Sequence, residues 1–253
     1  MAHDLQIANI WKRGAAWLFD GMIAGILAVA FGLILSALLG YDGYSRTLDE
    51  AYAKYASEYS VSFEISREEY EAMTEAEREN YQAAYQALIA DDEAMYAYNM
   101  MISLSLVMIS MGILLALLVW EFLIPLRLGN GQTLGKKIFG LCLVRNDGVK
   151  MNTLQLFTRS VLGKYAIETM IPVLIALMIF WGTMGVMGTV VVTALLAGQT
   201  VSLLATKSHS AIHDLLAGTV VVDYASQTIF DSTEALIEYQ KRIAAERAAR
   251  APY

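Results

Sequence analysis

Three stretches of this sequence are too apolar to sit in water: Ala15–Leu39, Asn99–Leu123 and Tyr165–Ala205. Crossing a bilayer takes about 20 mostly apolar residues in a helix, so each is long enough to span. No other feature constrains the fold as much. In lipid every backbone N–H and C=O must be paired within the protein, and apolar runs this long meet that demand as helices. The third run is too long for one span, because its 41 residues would extend roughly 60 Å, twice the hydrocarbon core. Its middle reads FWGTMGVMG, Phe180–Gly188, with glycines at 182, 185 and 188. We read a helical hairpin there, one span near 166–182 and another near 186–205. The fold class is therefore an all-α integral membrane bundle of four spans. It becomes three if one half of the hairpin only dips in from the interface, and the second half, VVVTALLAGQTVSLLA, has polar residues in its middle.

Composition agrees. The chain is 57% hydrophobic and 17% charged, against about 45–50% and about 25% in soluble domains. The first run is not a convincing signal peptide, since its span of 25 residues exceeds the roughly 7–15 of a signal core. The single cysteine, Cys142, excludes an internal disulfide.

Charge then orients the spans. Segment 41–98 holds four cations against fourteen acids, whereas segment 124–165 holds seven cations against Asp147 alone. Lys and Arg near span ends stay on the cytoplasmic side. Both termini and the basic segment are therefore expected inside, in the cytoplasmic (plasma) membrane of a bacterium, with the acidic segment outside. The acidity of the whole chain carries no message about nucleic acid, and none is expected as a partner. The expected organisation is an N-terminus with the first span (1–41), an acidic helical extracytoplasmic cap (42–98), a second span (99–124), a basic cytoplasmic loop (125–165), the hairpin (166–205) and a cytoplasmic end (206–253).

The outer segment carries helix signals. Thr74-Glu75-Ala76-Glu77 and Ser66-Arg67-Glu68-Glu69 are capping boxes, and Glu75–Tyr98 lacks Gly and Pro, which predicts a helix running into the second span. Ten of the fourteen tyrosines fall between Tyr41 and Tyr98. Tyrosine suits a surface that is apolar on one side and wet on the other, so a helical cap over the outer membrane face is the plain reading. The inner segment reads differently. KIFGLCLVRNDGVKMNTLQLF predicts a strand near 138–145 before the Asn146-Asp147-Gly148 turn. Thr153 would then cap an amphipathic helix to about Lys164, with Leu154, Phe157, Val161 and Leu162 on one face. Gly218–Asp223 reads as a second short strand able to pair with the first beneath the membrane. A solvated helix covers Ser232–Arg250.

Two tempting motifs fail on spacing. GNGQTLGKK has three residues between Gly131 and Gly135 where a phosphate loop needs four, and Lys137 stands where a hydroxyl should be. His209 and His213 are four apart and could share a helix face, but no third ligand is spaced to complete a metal site. No nucleophile elbow is present. The sequence therefore carries no catalytic, metal or cofactor set, and no enzyme is expected.

Charged residues near the inner ends of the spans are the stronger signal. Asp20 lies about two turns above Arg13 on one helix face, so Arg13, bending upward or through a water, and the cations of the 131–164 loop are the charges expected to answer it. Glu121 falls near the inner end of the second span, Glu168 near the start of the third after Arg159 and Lys164, and Asp214 after the last. Ionisable groups inside a membrane usually face the bundle interior, pair with one another, and mark ion paths. A network that only fixes helix packing would gather the same residues.

The pattern resembles the RDD family of small bacterial multi-span membrane proteins, named for one arginine and two aspartates. Arg13 and Asp20 in KRGAAWLFD match the first pair. Gly131–Gly148 is similar to the family's G-x-T-x-G-K-x-x-x-G-L-x-V stretch, through Gly131, Thr133, Gly135, Lys136 and Gly140. Ser210–Val222 resembles its H-D-x-x-A-G-T-x-V-V stretch, through His213, Asp214, Gly218 and Thr219. The resemblance covers roughly 6–224; the long outer segment and the charged tail stand outside the pattern. It implies a membrane domain with a suspected transport role, some members resembling cation/proton antiporters. Two functions are thus expected. In the first, Na+, Li+ or K+ exchanges for H+, with Asp20 as the alternately protonated carboxylate and Asp214 as the relay; four spans are few for a transport path, so a homodimer would complete it. In the second, the protein is a non-transporting scaffold or accessory subunit, and Arg13, Asp20 and Asp214 form a folding clamp.

Overall fold

The computed structural model describes residues 5–183 and 185–250. Twelve helices and two strands follow in order among them: α1 Ile10–Leu39, α2 Tyr41–Tyr59, α3 Arg67–Ala72, α4 Glu75–Ala90, α5 Asp92–Leu117, α6 Ile124–Leu128, α7 Leu134–Ile138, β1 Leu141–Arg145, α8 Thr153–Phe157, α9 Ile171–Phe180, α10 Val186–Ala205, α11 Ile212–Ala217, β2 Thr219–Asp223 and α12 Thr233–Arg250. Two π-helical stretches, Leu118–Leu123 and Thr158–Met170, join α5 to α6 and α8 to α9. Four continuous helical segments are long and apolar enough to cross a membrane: Ile10–Leu39, Asp92–Leu128, Thr153–Phe180 and Val186–Ala205. The apolar run from Tyr165 divides as its glycines suggest. Gly182 takes a left-handed φ of 70° and α10 starts at Val186; Met184, within the expected turn, lies outside the described residues.

The chain divides into two compact units. One holds the chain up to Ala28 and from Ile113 onward, the other Val29–Gly112.

In the Val29–Gly112 unit both capping boxes form, at Ser66–Glu69 and Thr74–Glu77. The helix expected to run unbroken from Glu75 stops at Ala90. Asp91 breaks it by turning extended and capping the next helix. Its Oδ1 accepts the Glu93 and Ala94 amides at 3.0 and 3.1 Å, and its Oδ2 accepts the Tyr55 hydroxyl at 2.9 Å. An aspartate that caps is worth more here than an uninterrupted helix. Tyr52, Phe63, Tyr81 and Tyr70 pack ring against ring in a row, centroids 5.3–5.9 Å apart, so three of the tyrosines here pack into one aromatic row.

In the other unit β1 and β2 pair antiparallel, Leu143 opposite Val221. Both sheet faces are buried. Leu141, Leu143 and Val221 pack on Ala8 and Ala16, while Cys142, Val144, Val220 and Val222 pack on Leu5, Ile7 and Ile229. That is why the strands read as apolar runs without polar alternation. Burial pushes the Cys142 thiol up to about 12. Residues near Ile7, not anticipated as structured, bridge to Val222, and Asp223 N donates to Gln6 O at 2.9 Å. The helix from residue 153 is capped by Asn152, not Thr153, through a reciprocal pair with Gln155, and continues unbroken to Phe180. Of its expected apolar face, Leu154, Phe157 and Leu162 are exposed, and the buried side belongs to Leu156, Arg159, Ser160 and Gly163.

The π-helical stretches have a local cause. Each precedes a proline, Pro125 and Pro172, and a proline ring clashes with the carbonyl four residues back. Those carbonyls belong to Glu121 and Glu168, in the repeated pattern Glu121-Phe-Leu-Ile-Pro125 and Glu168-Thr-Met-Ile-Pro172. Widening the turn relieves the clash. Ile124 N reaches back to Val119 O and Ile171 N to Ala166 O, five residues in each case.

Candidate functional site

Widening also sets the site. At α-helical pitch Lys164 would point about 140° away from Arg159, since five residues turn 500°. At i→i+5 pitch the residues at 159, 164 and 168 return near one face. Arg159, Lys164 and Glu168 there meet His213 and Asp214 of α11 and Glu121 of the Leu118–Leu123 stretch.

Asp20, 3% exposed, is held chiefly by neutral donors. Its Oδ1 accepts Trp120 Nε1 at 3.0 Å and the Gly135 amide at 2.9 Å; its Oδ2 accepts Thr133 Oγ1 at 2.5 Å. Lys136 Nζ stands 3.8 Å away. Thr133 also caps α7 through the Lys136 amide. Gly135 permits the approach, because a Cβ there would lie 2.7 Å from Asp20 Oδ1 and 2.8 Å from the Ala16 carbonyl oxygen. Arg13, expected to answer Asp20, turns elsewhere. It donates to the Ser208 carbonyl at 2.9 Å and to Asp214 Oδ2 at 3.4 Å. Two helical turns on one helix leave too wide a gap, whereas α11 and the loop before it bring acceptors to Arg13.

Glu121, equally buried, pairs with three cations: Lys164, Lys136 at 3.3 Å and Arg159 at 3.6 Å. The carbonyl freed by Pro125 is used, accepting Ser160 Oγ at 2.7 Å. Burial pulls the Lys136 ammonium down to about 8, against the pull of Glu121.

Asp214 Oδ1 accepts Arg159 Nε at 2.9 Å and Thr219 Oγ1 at 3.4 Å. Although burial alone would raise its pKa, the Arg159 and Arg13 charges and the hydrogen bond from Arg159 hold its carboxyl well below the usual range. Arg159 Nη2 lies 2.9 Å from His213 Nε2, and His213 Nδ1 lies 2.6 Å from Glu168 Oε2. A guanidinium can only donate, so Nε2 accepts and Nδ1 carries the proton given to Glu168. His213 is thus placed as a neutral imidazole, and burial lowers its pKa. Gly163 lets α11 in, because a Cβ there would lie 2.5 Å from His213 Cβ. His209 does not share a helix face with His213; it sits before α11 at a φ of 48° and contacts the Leu203 carbonyl.

Four carboxylates (Asp20, Glu121, Glu168, Asp214) thus stand among four cations (Arg13, Lys136, Arg159, Lys164), and all eight border one cavity of about 600 Å³. The remaining motif positions shape the backbone. Gly131 (φ 62°), Gly140 (φ 67°) and Gly218 (φ 63°) are left-handed, and a Cβ on Gly131 would strike Met151 and Leu143. Gly218 ends α11, and Thr219 opens β2. Sequence reasoning missed Trp120, Ser160 and Gly163. The repeated Glu-x-x-Ile-Pro pattern was the available signal for the widened turns.

Fold and site together define a multi-pass membrane-type protein, mostly helical, whose spans meet a small two-stranded sheet across a buried charge network. The sequence matches the RDD family over residues 7–218, and the chain belongs to that family. The match ends just before β2. No curated protein and no solved structure matches the chain.

Proposed function

We propose that this protein is a non-catalytic scaffold or accessory protein of a bacterial cytoplasmic membrane, in which the Arg13–Asp20–Asp214 set is a structural clamp. The clamp ties the start of α1 to the 131–140 loop, the widened helix and α11, on the side where the Lys and Arg distribution puts the cytoplasm. The observation that carries this reading is charge balance. Four carboxylates face four cations, and both Asp20 oxygens are occupied by Trp120, Thr133 and Gly135. A carboxylate that exchanges a bare cation for a proton needs oxygens free to receive the ion.

A second reading, exchange of Na+, Li+ or K+ for H+ by a homodimer, is favoured by the cavity that the four carboxylates border. Asp20→Asn separates the two, because it leaves four cations against three carboxylates in a buried network. The clamp predicts lower yield and thermal stability for this variant, and no cation-dependent ΔpH signal from wild-type protein in vesicles. A stable, abundant Asp20→Asn protein that has lost a wild-type cation-dependent signal would overturn the clamp.

A further inference from the structure

Within the charge network Arg159 keeps an open donor. Arg159 is 2% exposed and lines the cavity. Its Nε is taken by Asp214 and its Nη2 by His213. Its Nη1 has no hydrogen-bond partner among the described residues, Glu121 Oε2 lying 3.6 Å off as an ion pair only. A buried charged N–H left without an acceptor is costly, because nothing replaces the water it gave up. Two further donors border the same space. Lys164 directs a single bond at Glu121, leaving ammonium hydrogens over. Gln199 uses its Oε1 to accept the Ile212 amide at 3.1 Å, which turns its amide nitrogen to other use. The acids on this wall are already engaged, Glu168 by His213, and Asp214 by Arg159 and Arg13. The open capacity on the wall is therefore for an acceptor.

Most of the remaining lining is apolar, including Trp17, Ala24, Leu117, Pro172, Leu195 and Leu196. A volume of about 600 Å³ falls in the range of small-molecule sites, roughly 300–1,000 Å³. A charged acceptor alone would leave that apolar wall unused, and an alkane alone would leave Arg159 unmet. We propose that this cavity binds a membrane amphiphile by its phosphate, with Arg159, Lys164 and Gln199 donating to the headgroup and the α1, α9 and α10 side chains covering the first methylenes of its chains. A phosphodiester supplies several acceptor oxygens for converging donors, and its glycerol and upper chains supply the apolar part.

Three probes on purified full-length protein in detergent separate the parts of the proposal: dioleoylphosphatidylglycerol, dioleoylglycerol (the same chains without phosphate) and glycerol 3-phosphate (the phosphate without chains). Native mass spectrometry and thermal shift are expected to show retained binding and a raised Tm for the first alone. Two variants locate the site. Gln199→Glu keeps the acceptor for Ile212 but removes the donor and adds repulsion. Ala24→Phe fills the apolar part without touching a charge. Each is expected to weaken phosphatidylglycerol binding at least tenfold. Equal binding of dioleoylglycerol, equal binding of glycerol 3-phosphate, or wild-type affinity in both variants would overturn the proposal. The wild-type comparison stands even if a variant fails to fold. The clamp is tested separately, by Asp20→Asn without added lipid.

Discussion

Gly135→Ala tests whether the meeting of α1 with the loop helix is as tight as the structure shows. Two effects oppose each other. Inside α7, alanine is the better helix former by roughly 0.5–1 kcal/mol. Against that, the new Cβ would lie 2.7 Å from Asp20 Cγ and Oδ1 and 2.8 Å from the Ala16 carbonyl oxygen. The Ala16 oxygen is helix backbone and cannot swing aside, so α1 and α7 must separate. Overpacking of this kind costs about 1–3 kcal/mol. Separation also stretches the 2.9 Å bond from the Gly135 amide to Asp20, and bonds to charged groups are worth about 1.5–3 kcal/mol. The contact therefore wins, with a net loss of about 2–5 kcal/mol. At about 2–4 °C per kcal/mol for a chain of this size, Tm in detergent should fall by at least about 4 °C at a fixed scan rate. Gly25→Ala, on the same α1 where nothing lies within 4 Å, is the control and should be neutral or slightly stabilising. A Gly135→Ala protein as stable as wild type, or more so, would refute the packing argument, because helix propensity would then have outweighed the contact.

Other outcomes follow from the same network. Gly163→Ala should destabilise as severely, by driving His213 off Arg159 and Glu168; an unchanged Tm would show that α11 does not seat there. Stability should also fall with acidification below about pH 6.5, where the unfolded histidine takes up a proton. Burial, outweighing the opposing pull of Asp214 and Glu168 and helped by Arg159 and Lys164, keeps folded His213 neutral to lower pH. The unfolded chain therefore binds the extra proton in that window. Melting curves of His213→Asn should be flatter between about pH 7 and pH 5.5, and an unchanged slope would remove His213 as the cause. Asp214 adds nothing in that window, because its own titration is held below the usual carboxylate range. In the other unit, Asp91→Ala should speed deuterium exchange at the Glu93 and Ala94 amides, while Asp91→Asn, which can still cap, should not.

Much of the architecture was legible because lipid and backbone chemistry leave few choices. Long apolar runs must be helices, three glycines in seven residues break one run in two, and Ser66 and Thr74 cap where their partner glutamates fall three residues on. The two strands were readable from their turn and their apolar composition. The ionisable residues of the site were also named in advance, since a membrane tolerates few such groups without a reason. What the sequence could not set was who pairs with whom. Arg13 and Asp20 are seven residues apart and looked like partners, yet each finds a closer answer from a segment more than a hundred residues away. Spacing arguments assumed 3.6 residues per turn, and the widened helix before Pro172 turns Arg159, Lys164 and Glu168 to one side at a different pitch. Asp20 itself is met mainly by neutral groups, a tryptophan, a threonine and a glycine amide, which no charge pattern announces. The sequence by itself determined that these charges would be buried near one end of the spans. The tertiary structure alone decided their partners, because hydrogen bonds of about 3 Å depend on how closely backbones approach, and here that approach is governed by two glycines, Gly135 and Gly163, whose missing side chains leave room for Asp20 and His213.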